Sequence, residues 1–290
     1  MGKEISIKID SAMHGHRIEY VLKKELKISS SLIKRMKRAE NGILLNGVRT
    51  TVVTKVSDGD ILTVNIKGKE TENVIPVNIP IDVLWEDEDI LIVNKPGTMS
   101  VHPSGAHKTD TLANAVMYYM GSCEAIHIIT RLDRETSGVL LIAKNPRVAA
   151  LLSEDIKAGK VKKEYIAIVN GAPDPSMGTL SAPIKKKEGR GSARCVSKDG
   201  KEAVTLYELI KKTDTLSLMK LIPITGRTHQ LRVHMSHIGH PIYGDCIYGA
   251  PQMGERVRLH CQRITFLHPI TGKEVSITAE VPEDFNGLFK

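Results

Sequence analysis

Patterns typical of β-strands follow one another along most of this chain. Residues 81–96 read as strand, acidic turn and strand, and residues 139–143 are wholly apolar. Further runs of strand length lie at 162–171, 202–210 and 216–224. Helical patterns are fewer, at 111–120, 146–161 and 229–239. Because most strands lead directly to another strand, we predict an α+β fold with flanking helices around a mixed, mainly antiparallel sheet, rather than a doubly wound parallel sheet.

The composition is that of an ordinary globular protein. Hydrophobic residues make up 41% and charged residues 26% of the 290 positions, which suits one large domain or a large and a small one. No apolar run reaches the roughly 18–20 residues of a membrane-spanning helix. The first residues, MGKEISIKIDS, lack the apolar core of a signal peptide. We therefore expect a soluble, cytoplasmic protein with no membrane contact.

Positive charge is concentrated at the front of the chain. The formal net charge is +8, and residues 1–66 hold 12 Lys and Arg against 7 Asp and Glu, which is +5. This excess favours a polyanionic partner. One cluster, formed by Lys34, Lys37 and Arg38, has the spacing of a single helical face. A solvated helix face is the alternative explanation, but acidic partners are sparse on this segment.

The order of elements predicted for the front segment is specific. A helix over 17–26 is followed by the basic helix LIKRMKRAE, an Asn46-Gly47 hairpin, an SDGD turn and a strand at 61–66. This order resembles the small RNA-binding domain known from ribosomal protein S-four. The resemblance covers about residues 14–66. It implies that four side chains meet RNA phosphates, which positions a protein without reading bases: Lys34, Arg35, Lys37 and Arg38.

A polar segment with two prolines separates this module from the rest. Residues 67–80, KGKETENVIPVNIP, show no periodicity and are predicted to be a linker, partly extended at 74–79. We therefore expect three parts: a small N-terminal α/β RNA-binding domain at 1–66, the linker at 67–80, and a catalytic domain at 81–290.

Patterns for metals and cofactors are weak. The four cysteines stand alone, which suggests neither disulfides nor a zinc knuckle. The acidic residues 87–89 suit either a divalent metal or a hairpin tip. There is no GxxxxGK[ST] loop, no GxGxxG after a strand and no GxSxG elbow. A zinc hydrolase stays open as an alternative because four histidines fall within twelve residues: His229, His234, His237 and His240.

The stretch RLD at 131–133 places an aspartate beside arginines, in front of an apolar strand. If it is extended, Arg131 and Asp133 point one way and Leu132 the other. A carboxylate near guanidinium groups stays ionised, as a nucleophile must. A loop salt bridge explains the same residues, so chemistry alone does not single out Asp133.

Seven motifs in order resemble those of RNA pseudouridine synthases of the RluA/RluD type. They are VNKPGTMSVHPSG, ITRLDRETSG, EYIAIVNG, GKEAVTLYE, ITGRTHQLRVH, HPIYGDCIYG and LHCQRITFLHP. With the front module they cover nearly the whole chain. The resemblance implies a catalytic domain with a central RNA-binding cleft. It also implies isomerisation of uridine in RNA, most often large-subunit ribosomal RNA, by a monomer without metal, nucleotide or other cofactor.

The resemblance also implies a role for each site residue. Asp133 is the nucleophilic carboxylate, and Arg227 pairs with it. Tyr165 stacks on the target uracil, and Leu259 packs against the base. Arg131 takes the space of the flipped base, because a glycosidic bond within a stack is inaccessible. Whether the carboxylate attacks the base, attacks the sugar or removes a ribose proton stays open.

Two positions depart from the family pattern. Thr130 stands where the family usually has His, and Gly97-Thr98 stand where it tends to have Ala-Gly. A change at 130 affects substrate choice if the family's His contacts RNA, and has little effect if that His only supports the loop. A non-catalytic RNA-binding protein on the same fold is the competing class, and intact Asp133, Tyr165 and Arg227 argue against it.

Overall fold

The front segment has its own sheet and its own apolar core. A computed structural model describes residues 3–66, 74–121, 126–189, 191–249 and 256–286. The first elements are β1 (Lys3–Lys8), α1 (Ile18–Lys24), α2 (Ser30–Met36), β2 (Ile43–Leu45), β3 (Val48–Arg49) and β4 (Ile61–Ile66). The strands form an antiparallel sheet in the order β1-β4-β2-β3. Both helices cover it with buried side chains, among them Leu22 and Ile33.

Local signals in this segment account for most of its elements. The hairpin between β2 and β3 turns at Asn46 and Gly47, with φ of 51° and 77°, as the sequence predicts. The basic helix is shorter than LIKRMKRAE, because α2 ends at Met36. The chain then folds back so closely that a Cβ on Gly42 would lie 2.0 Å from the carbonyl oxygen of Met36. Strand β1, which alternates apolar and polar residues, was not predicted.

The rest of the chain is built mainly of strands. It contains β5 (Asp82–Glu86), β6 (Ile90–Lys95), α3 (Leu112–Tyr119), β7 (His127–Ile128), β8 (Ser137–Ala143), α4 (Pro146–Lys157), β9 (Lys162–Asn170) and β10 (Met177–Ser181). It continues with β11 (Ile184–Lys186), β12 (Arg194–Val196), β13 (Val204–Lys212), β14 (Leu216–Pro223), α5 (Gln230–His237), β15 (Leu259–Leu267), β16 (Glu274–Thr278) and α6 (Glu283–Asn286).

One large sheet organises these elements. Its strand order is β10-β13-β14-β9-β15-β8-β6-β5, with β16 beside β15 and β7 beside β8, while β11 and β12 form a separate hairpin. All pairings described for it are antiparallel except β8 with β15. The expected α+β fold with a mixed, mainly antiparallel sheet is therefore confirmed. In the described parts of the chain, no helix is long and apolar enough to cross a membrane.

The segment between the two sheets is only partly described. Residues 67–73 of the proposed linker lie outside the described residues. Residues 74–80 form no strand and attach to α3, where the Asn114 side chain donates to the Ile75 carbonyl at 2.8 Å and Val77 N donates to the Asn114 carbonyl at 3.1 Å. The division at 66 and 81 stays a prediction, supported by the separate buried clusters on either side.

The acidic stretch at 87–89 forms a turn. It connects β5 to β6, and Asp87 Oδ1 accepts from the backbone N–H groups of Asp89 and Ile90, both at 2.8 Å. This is the hairpin-tip arrangement that Asp favours in turns.

Strand β8 lies in the interior of the sheet, and all seven of its residues are buried. At its start, Gly138 has a φ of +111°, and a Cβ there would lie 2.2 Å from the backbone oxygen of Cys261 on β15. The parallel pairing of β8 with β15 therefore requires glycine at this position. Since β8 follows the RLD stretch after three residues, this contact also fixes where that loop ends.

We expect Gly138→Ala to lower the free energy of unfolding by more than about 2 kcal/mol, because backbone strain adds to the clash with β15. Gly159→Ala is the matched control, since its φ is +70° but nothing lies within 4 Å of an added Cβ; it should cost about 1 kcal/mol. Urea denaturation followed by circular dichroism measures both. Equal losses would show that the close approach to β15 is unimportant.

Candidate active site

A cleft forms where the loop before β8 and the loop before α5 meet strands β9 and β15. It encloses about 290 Å³, at the small end of the roughly 300–1,000 Å³ typical of small-molecule sites. That volume can hold one nucleoside but not a nucleic-acid helix. Five of the residues singled out from the sequence line it together: Arg131, Asp133, Tyr165, Arg227 and Leu259.

The RLD loop presents its side chains in alternation, as an extended segment should. Leu132 is buried in the main apolar core, whereas Arg131 is exposed and Asp133 keeps 28% of its side chain accessible. The backbone N–H of Thr136 donates to the Asp133 carbonyl at 3.1 Å and closes the turn into β8. The carboxylate is therefore held by a rigid loop but remains open to the cleft.

The arginine paired with Asp133 is Arg232, so the prediction of Arg227 is wrong. Nη1 of Arg232 donates to Oδ2 of Asp133 at 3.3 Å. Arg227 is exposed in the loop before α5, and its Nε donates to the Glu202 carbonyl at 2.8 Å. The two arginines are five residues apart in one motif. Helix α5 begins between them and turns the second one inward.

Arg232 is bound more tightly to a second carboxylate, that of Asp245. Nε and Nη2 of Arg232 donate to the two carboxylate oxygens at 2.7 and 2.8 Å. Asp245 is fully buried, and its Oδ1 also accepts from the backbone N–H groups of Ile247 and Tyr248. Burial opposes the charge on Arg232, but Asp245 and Asp133 raise its pKa above the ordinary value. The guanidinium is thus permanently charged and aimed by Asp245.

A histidine completes this polar group. Nε2 of His229 lies 3.8 Å from Oδ1 of Asp133, and its Nδ1 is 2.7 Å from the Tyr248 hydroxyl. That hydroxyl also accepts a hydrogen bond from the backbone N–H of Arg194 at 2.8 Å. Burial is the main reason that the pKa of His229 is lowered, with Asp133 opposing it. The ring therefore directs Nδ1 to the Tyr248 hydroxyl and Nε2 to Asp133.

Tyr165 and Leu259 form the apolar side of the cleft. Tyr165 is 6% exposed and pairs with Cys261 across β9 and β15. Burial, then Cys261, raises the pKa of Tyr165 well above its ordinary range. Burial also raises the pKa of Cys261, to about 11. Both groups stay neutral at physiological pH, so this side of the cleft carries no charge.

Two basic side chains, Lys95 and Arg256, hold the RLD loop from behind. Nζ of Lys95 is buried and donates to the carbonyls of Pro96, Met99 and Arg134 at 2.7, 2.8 and 2.9 Å. Burial, followed by the charge of Arg256, lowers the pKa of Lys95 to about 7, with Asp133 opposing. Nη1 of Arg256 donates to the Glu135 carbonyl at 3.2 Å. Consecutive carbonyls of the loop are thus tied to the body of the protein.

Gly97 and Thr130, two positions at which the chain departs from the family pattern, have structural explanations. A Cβ on Gly97 would lie 2.8 Å from the side chain of Arg256, so glycine leaves room for that arginine. Arg256 in turn is held by Asp284, at 2.7 and 2.9 Å. Thr130 is 4% exposed, and its hydroxyl accepts from the backbone N–H of Leu141 at 2.9 Å. It ties the start of the RLD loop to the later part of β8.

The histidines of the zinc alternative face separate partners. His234 contacts the Thr205 hydroxyl and the Ala182 carbonyl, both at 2.9 Å. His240 contacts the Asn170 carbonyl at 3.0 Å. His237 is exposed, and His229 belongs to the Asp133 group. Over the described ranges, no three His, Cys, Asp or Glu residues are arranged to hold a metal ion.

The basic residues of the front segment lie outside the cleft. Lys34, Lys37 and Arg38 are exposed, whereas Arg35 is half-buried. Burial, and secondly the positive charge of Arg35, lowers the pKa of His127 on β7. One side of α2 therefore approaches the strand that leads into the RLD loop, while the other basic residues face solvent.

Comparison with known proteins identifies the family. Residues 89–237 match the RNA pseudouridylate synthase family. The RNA pseudouridine synthase YjbO of Bacillus subtilis is 36% identical over 271 residues, covering 92% of this chain and 96% of that one. Ribosomal large subunit pseudouridine synthase D of Zymomonas mobilis is 36% identical over 255 residues, covering 81% and 80%.

Solved structures agree with this match. The structure of human RNA pseudouridylate synthase domain containing 4 superposes with a TM-score of 0.60 at 28% identity, covering 71% of this chain and 90% of that one. The chain belongs to the RNA pseudouridylate synthase family. It is an isomerase that converts uridine in RNA to pseudouridine, which confirms the activity expected from the motifs.

We expect Arg232→Lys to lower kcat by roughly 100-fold, because a lysine keeps the charge but loses the planar fork that spans Asp245 and Asp133. Arg227→Lys is the matched control and should leave kcat close to the wild-type value. Release of tritium from RNA labelled at uracil carbon five measures turnover, and thermal melting checks the fold. A larger loss of kcat in the Arg227 variant would restore the original assignment.

Proposed function

We propose that Asp133 is the reacting carboxylate of this isomerase and that its substrate is large-subunit ribosomal RNA. One observation carries the first part: among the described residues lining the cleft, Asp133 is the only Asp or Glu. It is also partly exposed and ion-paired with Arg232. The second part is supported by relatives whose name specifies the ribosomal large subunit.

The walls of the cleft suit an extruded uracil. The reaction breaks the bond from ribose to N1, turns the base and joins C1′ to C5, while the C5 hydrogen leaves as a proton and N1 gains one. The ring face of Tyr165 stacks on the base, and Leu259 packs against it from another side. The enclosed volume of about 290 Å³ requires that the nucleotide leave its stack. Arg131, exposed beside Asp133, fills the space left in the RNA.

Positive charge at the cleft and on the front module binds the RNA backbone. Three of the residues that line the cleft are Arg131, Lys163 and Arg227. Because Arg227 does not pair with Asp133, it is proposed to contact an RNA phosphate at the rim of the cleft. The front module at 1–66 adds Lys34, Lys37 and Arg38, with Arg35 closer to β7. Such contacts set the register of the RNA. The protein is proposed to act as a monomer in the cytoplasm, with no metal or nucleotide cofactor.

The substrate proposal is tested by mapping pseudouridine in total RNA from cells with and without the gene. We expect the loss of one or more sites in large-subunit ribosomal RNA, restored by the wild-type gene. Sites lost only from another RNA would overturn the choice of substrate and leave the isomerase activity intact.

We expect Asp133→Asn to abolish tritium release while preserving RNA affinity, because the amide keeps the shape but cannot act as a carboxylate. Asp214→Asn, in the exposed turn between β13 and β14, is the matched control and should turn over normally. Filter binding measures affinity on the same transcript. Sustained turnover by the Asp133 variant would refute the assignment of the reacting carboxylate.

We expect the triple variant Lys34→Gln, Lys37→Gln and Arg38→Gln to bind RNA more weakly and with a flatter salt dependence. Each phosphate contact contributes roughly 0.7–0.9 to the slope of log K against log salt. A triple variant of exposed lysines elsewhere, at 211, 212 and 273, matches the change in net charge and serves as the control. If both triple variants show the same slope, the front module does not contact RNA.

A further inference from the structure

We propose that the exposed ring stack of His16 and Tyr20 is a second RNA contact, on which an unpaired base of the RNA strand stacks. The two rings are parallel, with centroids 4.1 Å apart and an interplanar angle of 14°. Tyr20 is 41% exposed, and His16 is also exposed. The pair lines a shallow surface depression on the front module. An exposed aromatic surface of this kind interacts poorly with water but stacks well with a nucleobase.

The stack stands on a rigid base. Tyr20 lies in the first turn of α1, and His16 stands just before the N-cap residue Arg17, where its ring stacks on that of Tyr20. On the opposite side of the helix, Ile18, Val21 and Leu22 are fully buried. Backbone bonds to the segment at 52–56 hold the approach to the helix. The two rings are therefore already ordered. A base that stacks on them gains binding free energy at little entropic cost for ordering these side chains.

Cations surround the two rings. Besides the rings, the depression is lined by Arg17, Lys23, Lys24 and Lys55, all of them exposed. Glu19 is the one carboxylate described among its lining residues, and it is paired with Lys23 at 2.6 Å. The surface is therefore strongly positive around an aromatic centre. That combination matches a nucleic-acid strand, whose phosphates meet the cations while a base covers the ring.

This surface adjoins the basic residues of α2. The pKa of Glu19 is lowered first by its hydrogen bond with Lys23, and the positive charges of Lys37 and Arg17 lower it further. Lys37, which lies just after α2, is thus close enough to act on the α1 surface. One RNA strand that contacts Lys37 through phosphate can place a neighbouring base on Tyr20.

The inference goes beyond the phosphate contacts of the proposed function and rests on its premise that the substrate is RNA. Phosphate contacts do not distinguish paired from unpaired strands, whereas a ring platform requires an open base face. The front module would then prefer a single-stranded loop next to the modified site. It would select RNA by its structure, at a distance from the uridine that the cleft receives.

The test uses the full chain and two labelled probes: a single-stranded cytidine dodecamer, which contains no uridine for the cleft, and an RNA duplex of equal strand length. We expect Tyr20→Ala to bind the single strand roughly tenfold more weakly, the typical loss for one stacked base, and the duplex as well as the wild type does. The salt slope should be unchanged, since no charge is removed.

Two variants serve as controls. Tyr20→Phe keeps the ring and should bind like the wild type, and Tyr118→Ala removes a tyrosine that is 51% exposed on α3 and should have no effect. Wild-type affinity of Tyr20→Ala for the single strand, or equal losses with both probes, would overturn the inference. Turnover by the wild type on a ribosomal transcript is measured alongside. Its absence would overturn the proposed function instead, because the cytidine probe does not depend on catalysis.

Discussion

The site depends on the ion pairs that the buried guanidinium of Arg232 forms with two carboxylates. The guanidinium lies between Asp245, which accepts two short hydrogen bonds, and Asp133, which accepts one longer bond. Taking such a charge out of water costs several kcal/mol per ion, by rough estimate, unless its partners are well placed. Asp245 supplies that compensation and is itself held by two backbone N–H groups. The contact with Asp133 is therefore aimed by the Arg232–Asp245 pair.

Asp133 is supported by the protein on one side and is open to the cleft on the other. Behind the loop, Lys95 and Arg256 bind consecutive carbonyls, and the apolar strand β8 begins at once. In front, the carboxylate faces a cleft with a buried tyrosine on another wall. A reacting group gains from such support because small displacements cost much of the rate. The same arrangement explains Gly97, since the space that a side chain would take is occupied by Arg256.

Much of the fold could be predicted because its signals are local. The hairpin at Asn46-Gly47, the acidic turn before β6 and the alternation of Arg131, Leu132 and Asp133 all depend on neighbours in the chain. Predictions from the sequence failed where segments far apart in the chain contact each other. Helix α2 ends early because the chain returns at Gly42, and β1 needs β4 as its partner. The roles given to Tyr165, Leu259 and Arg131 stay predictions that their common cleft supports.

The sequence by itself determined the class of fold, the family and the candidate carboxylate, because strand periodicity and motif order are properties of the chain. It did not determine which arginine serves Asp133. Arg227 and Arg232 share one motif, and only the start of α5 turns one into the core and leaves the other at the surface. The sequence also did not place three further residues beside Asp133: Asp245, Tyr248 and His229. Their partners are set by packing between segments far apart in sequence, which no local pattern encodes.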